Sequence, residues 1–203
     1  MSFRFDLQHL SPQARHTIEG RENNGKSSQN NTSVRKDKPK NIVCPIAIFM
    51  RLGHTAANPY DGKDTLEIYS DFCNKNQSVW FSTDSLTSGM SETRRAEFIN
   101  EIENGNIVEI YFAIGKNSGG DNDIHYKAQV VDIKTDGEGI PSPEKAFTPD
   151  EWKENRNKIW IKIKDLEPFN KYTTRDFIVA SSKKVLADSI ANSQFNFGYI
   201  KKN

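Results

Sequence analysis

The run Ile159-Trp160-Ile161-Lys162-Ile163-Lys164 does most to limit what this chain can become. It alternates strictly, so an extended backbone puts three isoleucines on one face and Trp160, Lys162 and Lys164 on the other. A strand with one apolar face needs neighbours on its edges and a cover on that face. Val108-Glu109-Ile110-Tyr111-Phe112-Ala113-Ile114 is a second such run, with Val108, Ile110, Phe112 and Ile114 on one side. Ile46 to Met50 reads as a buried strand from which Arg51-Leu52-Gly53-His54 departs, and Val79 to Ser82 is a short strand. His125 to Ile133 returns after a turn-rich loop over Asn117 to Asp123, carrying Tyr126, Ala128 and Val130 on one side.

Between these strands the period changes. Leu66, Tyr69, Phe72 and Cys73 recur at helical spacing, so Asp64 to Asn74 is an amphipathic helix. Ser91-Glu92 opens a second helix with an acid in its first turn, Phe98, Ile99 and Ile102 as its buried stripe, and Asn104-Gly105 as its stop. Residues 134–157, with their prolines, glycines and Trp152, read as a long loop. Thr173 to Phe177 is a short helical turn, and Ser182 to Asn192 a last helix burying Val185, Leu186, Ser189 and Ile190. Gln194 to Ile200 is a closing strand or an aromatic plug. Strands interleaved with helices, with distant strands forced to pair, give an α+β fold: a small mixed curved sheet or partly closed β-barrel flanked by helices.

Residues 1–40 differ from this body. They hold 8 Lys/Arg against 4 Asp/Glu, while the remainder holds 20 against 23. After a short helix over Ser11-Pro12-Gln13-Ala14-Arg15 that fades by Gly20, the stretch to Lys40 has Val34 as its only large aliphatic side chain. It cannot bury enough apolar area to offset its ordering entropy, so 1–40 is expected to be a basic flexible tail and 41–203 the folded domain. The slightly acidic body argues against bulk electrostatic binding of nucleic acid. The longest apolar run, Ile42 to Met50, is too short to cross a bilayer. Two cysteines, Cys44 and Cys73, and no signal-peptide pattern point to a reducing cytoplasm.

Ser78-Val79-Trp80-Phe81-Ser82-Thr83-Asp84 carries the functional reading. A Trp on an apolar strand runs into hydroxyl and acidic residues, which offers a flat wall beside hydrogen-bonding groups for a planar base. Ser82, Thr83 and Asp84 are placed to supply those bonds. Arg51, Lys162 and Lys164 are candidates for phosphate contact, and the same residues also suit a solvated strand face. His54, His125, Asp84 and Cys73 could be assembled into a hydrolytic site, but no Gly-x-Ser-x-Gly, His-Glu-x-x-His, P-loop or Cys-x-x-Cys motif is present. No enzyme activity, metal or cofactor is expected.

The segment Ser78-Val79-Trp80-Phe81-Ser82-Thr83 resembles the Ser-Ile-Trp-Cys-Ser-Thr segment of YTH domains. The order of elements from 42 to 190, including the Trp-bearing loop and Trp160-Ile161-Lys162-Ile163-Lys164-Asp165-Leu166, is similar too. YTH domains group with EVE and PUA-like folds, which hold a base in a pocket. The resemblance therefore implies a PUA-like domain reading N6-methyladenine or a modified cytosine in DNA or RNA. It implies an aromatic cage of Trp80 with Trp152 and Phe147 from the long loop. It also implies a nuclease or motor subunit as partner, as in modification-dependent restriction or defence systems. Arg51-Leu52-Gly53 stands where the family has Lys-Ser-Tyr. An RNA-binding N6-methyladenine reader and a peptide-binding module without nucleic-acid binding are the alternatives.

Overall fold

The computed structural model describes residues 41–53 and 59–203. The expected tail, its short helix and His54 lie outside them.

Seven strands form one open mixed sheet in the order β2-β5-β4-β3-β1-β7-β6. They are β1 (Ala47–Leu52), β2 (Val79–Thr83), β3 (Val108–Ile114), β4 (Ile124–Pro141), β5 (Arg156–Pro168), β6 (Phe177–Val179) and β7 (Phe197–Lys202). Among the described residues the three α-helices are α1 (Gly62–Asn76), α2 (Glu92–Glu103) and α3 (Leu186–Asn192). The fold is thus α+β, as the alternating periods imply. Among the described residues the sheet does not close into a barrel: β2 and β6 are its two edge strands, and β6 has only three residues.

The parallel pair β1–β3 sits at the centre, with Ile48 opposite Ile110 and Met50 opposite Phe112. Parallel neighbours require a crossover, and α1, β2 and α2 supply it. Alternation along β1 feeds two cores. Ile48, Met50 and Leu52 join Leu66, Tyr69 and Phe98 from α1 and α2, whereas Ala47 and Phe49 join Phe177, Leu186 and Ile190 on the α3 side. All three isoleucines of β5 are fully buried in the first core.

Helix ends follow local chemistry. Asp61 accepts from the N–H groups of Lys63 and Asp64, starting α1 two residues before the expected Asp64, and Gln77 ends it in the left-handed region (φ 65°). Ser91 caps α2 through the Arg94 N–H. The last helix begins at Leu186 instead of Ser182, because Lys183 (φ 60°) closes a turn onto Val179.

The expected loop 134–157 is the main correction. β4 continues to Pro141 and β5 begins at Arg156. Gly137, Gly139 and Pro141 look like breakers, yet the two glycines lie in a bulge and Pro141 is the last ladder partner, opposite Arg156. The β4–β5 register shifts between Lys127 and Gln129, between Val130 and Asp132, and between Thr135 and Ile140. Repeated bulges bend the strand pair and carry β2, at the sheet edge, around the first core.

In the β3–β4 turn, a Cβ at Gly120 would collide with the carbonyl of Ile114. Gly120→Ala is expected to destabilise the fold by about 1–3 kcal/mol, the range for overpacking against backbone, read as a lower urea midpoint with an unchanged slope.

Candidate functional site

A cleft of about 840 Å³ opens where the ends of β1 and β2 meet the segment leading into β5. Its walls include Arg51 from β1, Ser82 and Thr83 from the end of β2 with Asp84 just after it, Trp152 from the segment before β5 and Asn157 from the start of β5. That volume falls within the range of small-molecule sites.

The aromatic wall is fixed from behind. Trp152 stacks on Tyr69 of α1 with centroids 4.5 Å apart and planes 7° from parallel, and meets Tyr60 edge-on at 6.0 Å. Tyr69 in turn lies edge-on to Phe81 at 5.2 Å. Its phenol is fully buried and faces Ser82, and burial pushes its pKa well up, so the proton stays on the oxygen. Asn157 Nδ2 donates to Ser82 Oγ at 3.0 Å. Thr83 Oγ1 pairs with Ser85 Oγ at 2.8 Å, and Asp84 Oδ1 accepts the Lys158 N–H at 2.6 Å. Ser82 and Asp84 are thus held by residues far along the chain and Thr83 by its near neighbour Ser85, so their hydrogen-bonding groups are set before any ligand arrives.

Of the expected site residues, this cleft gathers Arg51, Ser82, Thr83, Asp84 and Trp152. Trp80, Phe147, Lys162 and Lys164 do not line it. Val79 and Phe81 face the first core, so the indole between them goes to the opposite face of the sheet, where it is fully buried. The expected cage of Trp80 with Trp152 and Phe147 is thus corrected, since Trp80 and Trp152 belong to different faces. Lys162, opposite Trp80 in the β2–β5 ladder, places its ammonium 5.7 Å from the Trp80 ring centre and 4.4 Å from that of Phe147. Glu144 pairs with it at 2.9 Å. This lysine is engaged inside the fold and is no free phosphate ligand. Trp160, on the same face, donates its Nε1–H to the Ile140 carbonyl at 2.9 Å. The buried Nε1–H of Trp80 has no hydrogen-bond partner among the described residues.

Three cleft features escaped the sequence reading. Tyr60 follows an Asn-Pro loop signal, Asn155 and Asn157 sit in a non-periodic stretch, and Asn196 lies inside the run read as a closing strand. No period marks any of them. A cluster of amides flanking a Trp was the available signal.

The hydrolytic constellation is not assembled from its described members. Cys73 is in the first core, and burial raises its pKa. Burial and the neighbouring Glu101 push the Cys44 thiol up to about 11, the reverse of an activated nucleophile. His125 Nε2 pairs with Asp121 Oδ1 at 2.8 Å, and Asp84 serves Lys158.

No family model, curated protein or solved structure matches this chain.

Lys162→Met should break the tie to Glu144 at a cost of about 1 kcal/mol, in the range for an ion pair with cation–π support. Amide hydrogen exchange over 142–150 is expected to rise, while exchange in α1 stays as in the wild type.

Proposed function

We propose that this chain is a nucleic-acid-binding reader, a PUA-like domain of the YTH/EVE kind, that holds a flipped modified base in the cleft beside Trp152. The base is N6-methyladenine or a modified cytosine, in DNA or RNA, and a nuclease or motor subunit is the partner that would act on the mark. The supporting observation is the juxtaposition of an indole locked by Tyr69 with the pre-set hydroxyl, amide and carboxylate groups of Ser82, Thr83, Asn157 and Asp84.

The magnitudes fit such a role. Stacking on an aromatic side chain is worth about 1–3 kcal/mol per base, and unstacking a base from a duplex costs a few kcal/mol. Hydrogen bonds at the base edge must make up the difference, and rigid ones do so best because little ordering remains. Asp84 and Glu151 add acceptors suited to an exocyclic amino group. A methyl group in an apolar surround adds about 1–3 kcal/mol, roughly 10–200-fold in preference. The body carries a slight excess of acid, so affinity on this reading comes from the pocket more than from the general field.

Matched oligonucleotides with and without N6-methyladenine or a modified cytosine, in both polymers, test it. One of them is expected to bind at least tenfold more tightly than its unmodified twin. Trp152→Ala should cost about 1–3 kcal/mol of that binding, with folding checked by urea unfolding. Trp80→Phe, on the other face of the sheet, should leave affinity within about twofold, well under the 1.4 kcal/mol that a tenfold change represents. Equal affinity for every strand would overturn the reading. So would a Trp80→Phe variant that loses discrimination while Trp152→Ala keeps it.

A further inference from the structure

Arg51 stands between two clefts. Besides the larger one, a neighbouring hollow of about 410 Å³ is lined by Arg51, Lys116, Asn117, Asn122, Gln194 and Asn196. The two share Arg51, Gly53 and Asn196. Their chemistry differs. Asp84, Glu151 and the rings line the larger cleft, whereas among the described residues the smaller has two cations, four side-chain amides, and neither a carboxylate nor an aromatic ring on its wall.

Arg51 is half-buried and held in a fixed pose. Its Nε and Nη2 donate to Asn196 Oδ1 at 3.0 and 2.6 Å, and Nη1 reaches Asn122 Oδ1 at 3.5 Å. Three of its five N–H groups are thus spent on neutral oxygens, and the other two have no partner among the described residues. No carboxylate of the described residues pairs with Arg51 or with the exposed Lys116. The acids of the adjacent turn have other partners: Asp121 Oδ1 binds His125, and Asp123 Oδ1 accepts the N–H groups of Ile124 and Thr174. Asn122 Oδ1 also takes the Lys116 N–H at 3.1 Å, which positions the lysine's turn against the arginine. A partly desolvated guanidinium without a counter-charge is costly unless a ligand supplies one. Fork-shaped donors match a phosphate better than a lone chloride.

We propose that the smaller cleft binds a phosphate group, and that this group is the backbone phosphodiester next to the base seated in the larger cleft. The second half of this statement rests on the function proposed above; the first does not. Arg51 contributes the pre-oriented fork, Lys116 a mobile point charge, and the amides of Asn117 and Gln194 further donors.

The experiment uses the full chain and a labelled single strand with one N6-methyladenine or modified cytosine, whichever the binding screen favours. A twin strand has neutral methylphosphonate linkages on both sides of that base. The wild type should bind the native strand about tenfold more tightly than the neutral twin. Arg51→Gln and Lys116→Ala should each weaken native-strand binding and respond less to neutralisation. Lys116→Ala, at an exposed turn position, should also flatten the log affinity–log salt slope by about 0.7. Equal binding of the two strands by the wild type overturns the proposal. So does an equal loss on both strands in both variants, which marks a structural role only. If no strand binds the wild type, the base reading falls, and inorganic pyrophosphate is the remaining probe. Saturable shifts of the Asn122 and Asn196 side-chain amides, lost in Lys116→Ala, would then keep a site for free phosphate and sink the phosphodiester. No shift would sink both.

Discussion

Tyr69 is the point on which the cleft depends. Its ring backs Trp152, its edge meets Phe81, and its hydroxyl faces Ser82. One α1 side chain thereby joins the segment before β5 to both the apolar and the polar parts of β2. Its burial is complete, and Ser82 is the polar group that its phenol faces. Asn157, at the start of β5, holds Ser82 in turn. Loosening Tyr69 would release the aromatic wall and the hydrogen-bonding edge together.

The sheet explains why α1 can play this part. Three strands separate β1 from β2 in the sheet order, yet their ends border one cleft. The bulged β4–β5 ladder bends the sheet enough to bring them round α1. The central β1–β3 pair, buried on both faces, gives this curl a rigid spine. Binding groups then come from strand ends, while the core below them is apolar and closed.

Period carried most of what could be read ahead of the structure. The isoleucines of β5, the β3 face, the stripes of α1 and α2 and the opening of α2 at Ser91-Glu92 all came from spacing and local chemistry. So did the grouping of Ser82, Thr83 and Asp84 at one strand end. Trp80 was harder. A lone indole on a short strand serves either face, and its side was settled by Phe81, whose place in the first core turned Trp80 away. Lys162 belonged to the same blind spot, because alternation shows which face a lysine takes but not whether an acid and two rings await it there. The β4 extension was hidden because glycine and proline look alike in a loop and in a bulged ladder. Tyr60 and the cleft asparagines had no periodic signature at all.

The segment between β4 and β5 holds Phe147 and Trp152 only a few residues apart on opposite sides of the sheet, one over Lys162 and the other against Tyr69. It behaves as a buckle of fixed length. Neither ring can be shifted along the chain without dragging its fellow out of its seat, so losing or gaining one residue between them would unfasten both faces at once. Remodelling the cleft through this segment is thus confined to exchanging side chains in place, and variation in its span has to be accommodated outside the stretch those two rings enclose.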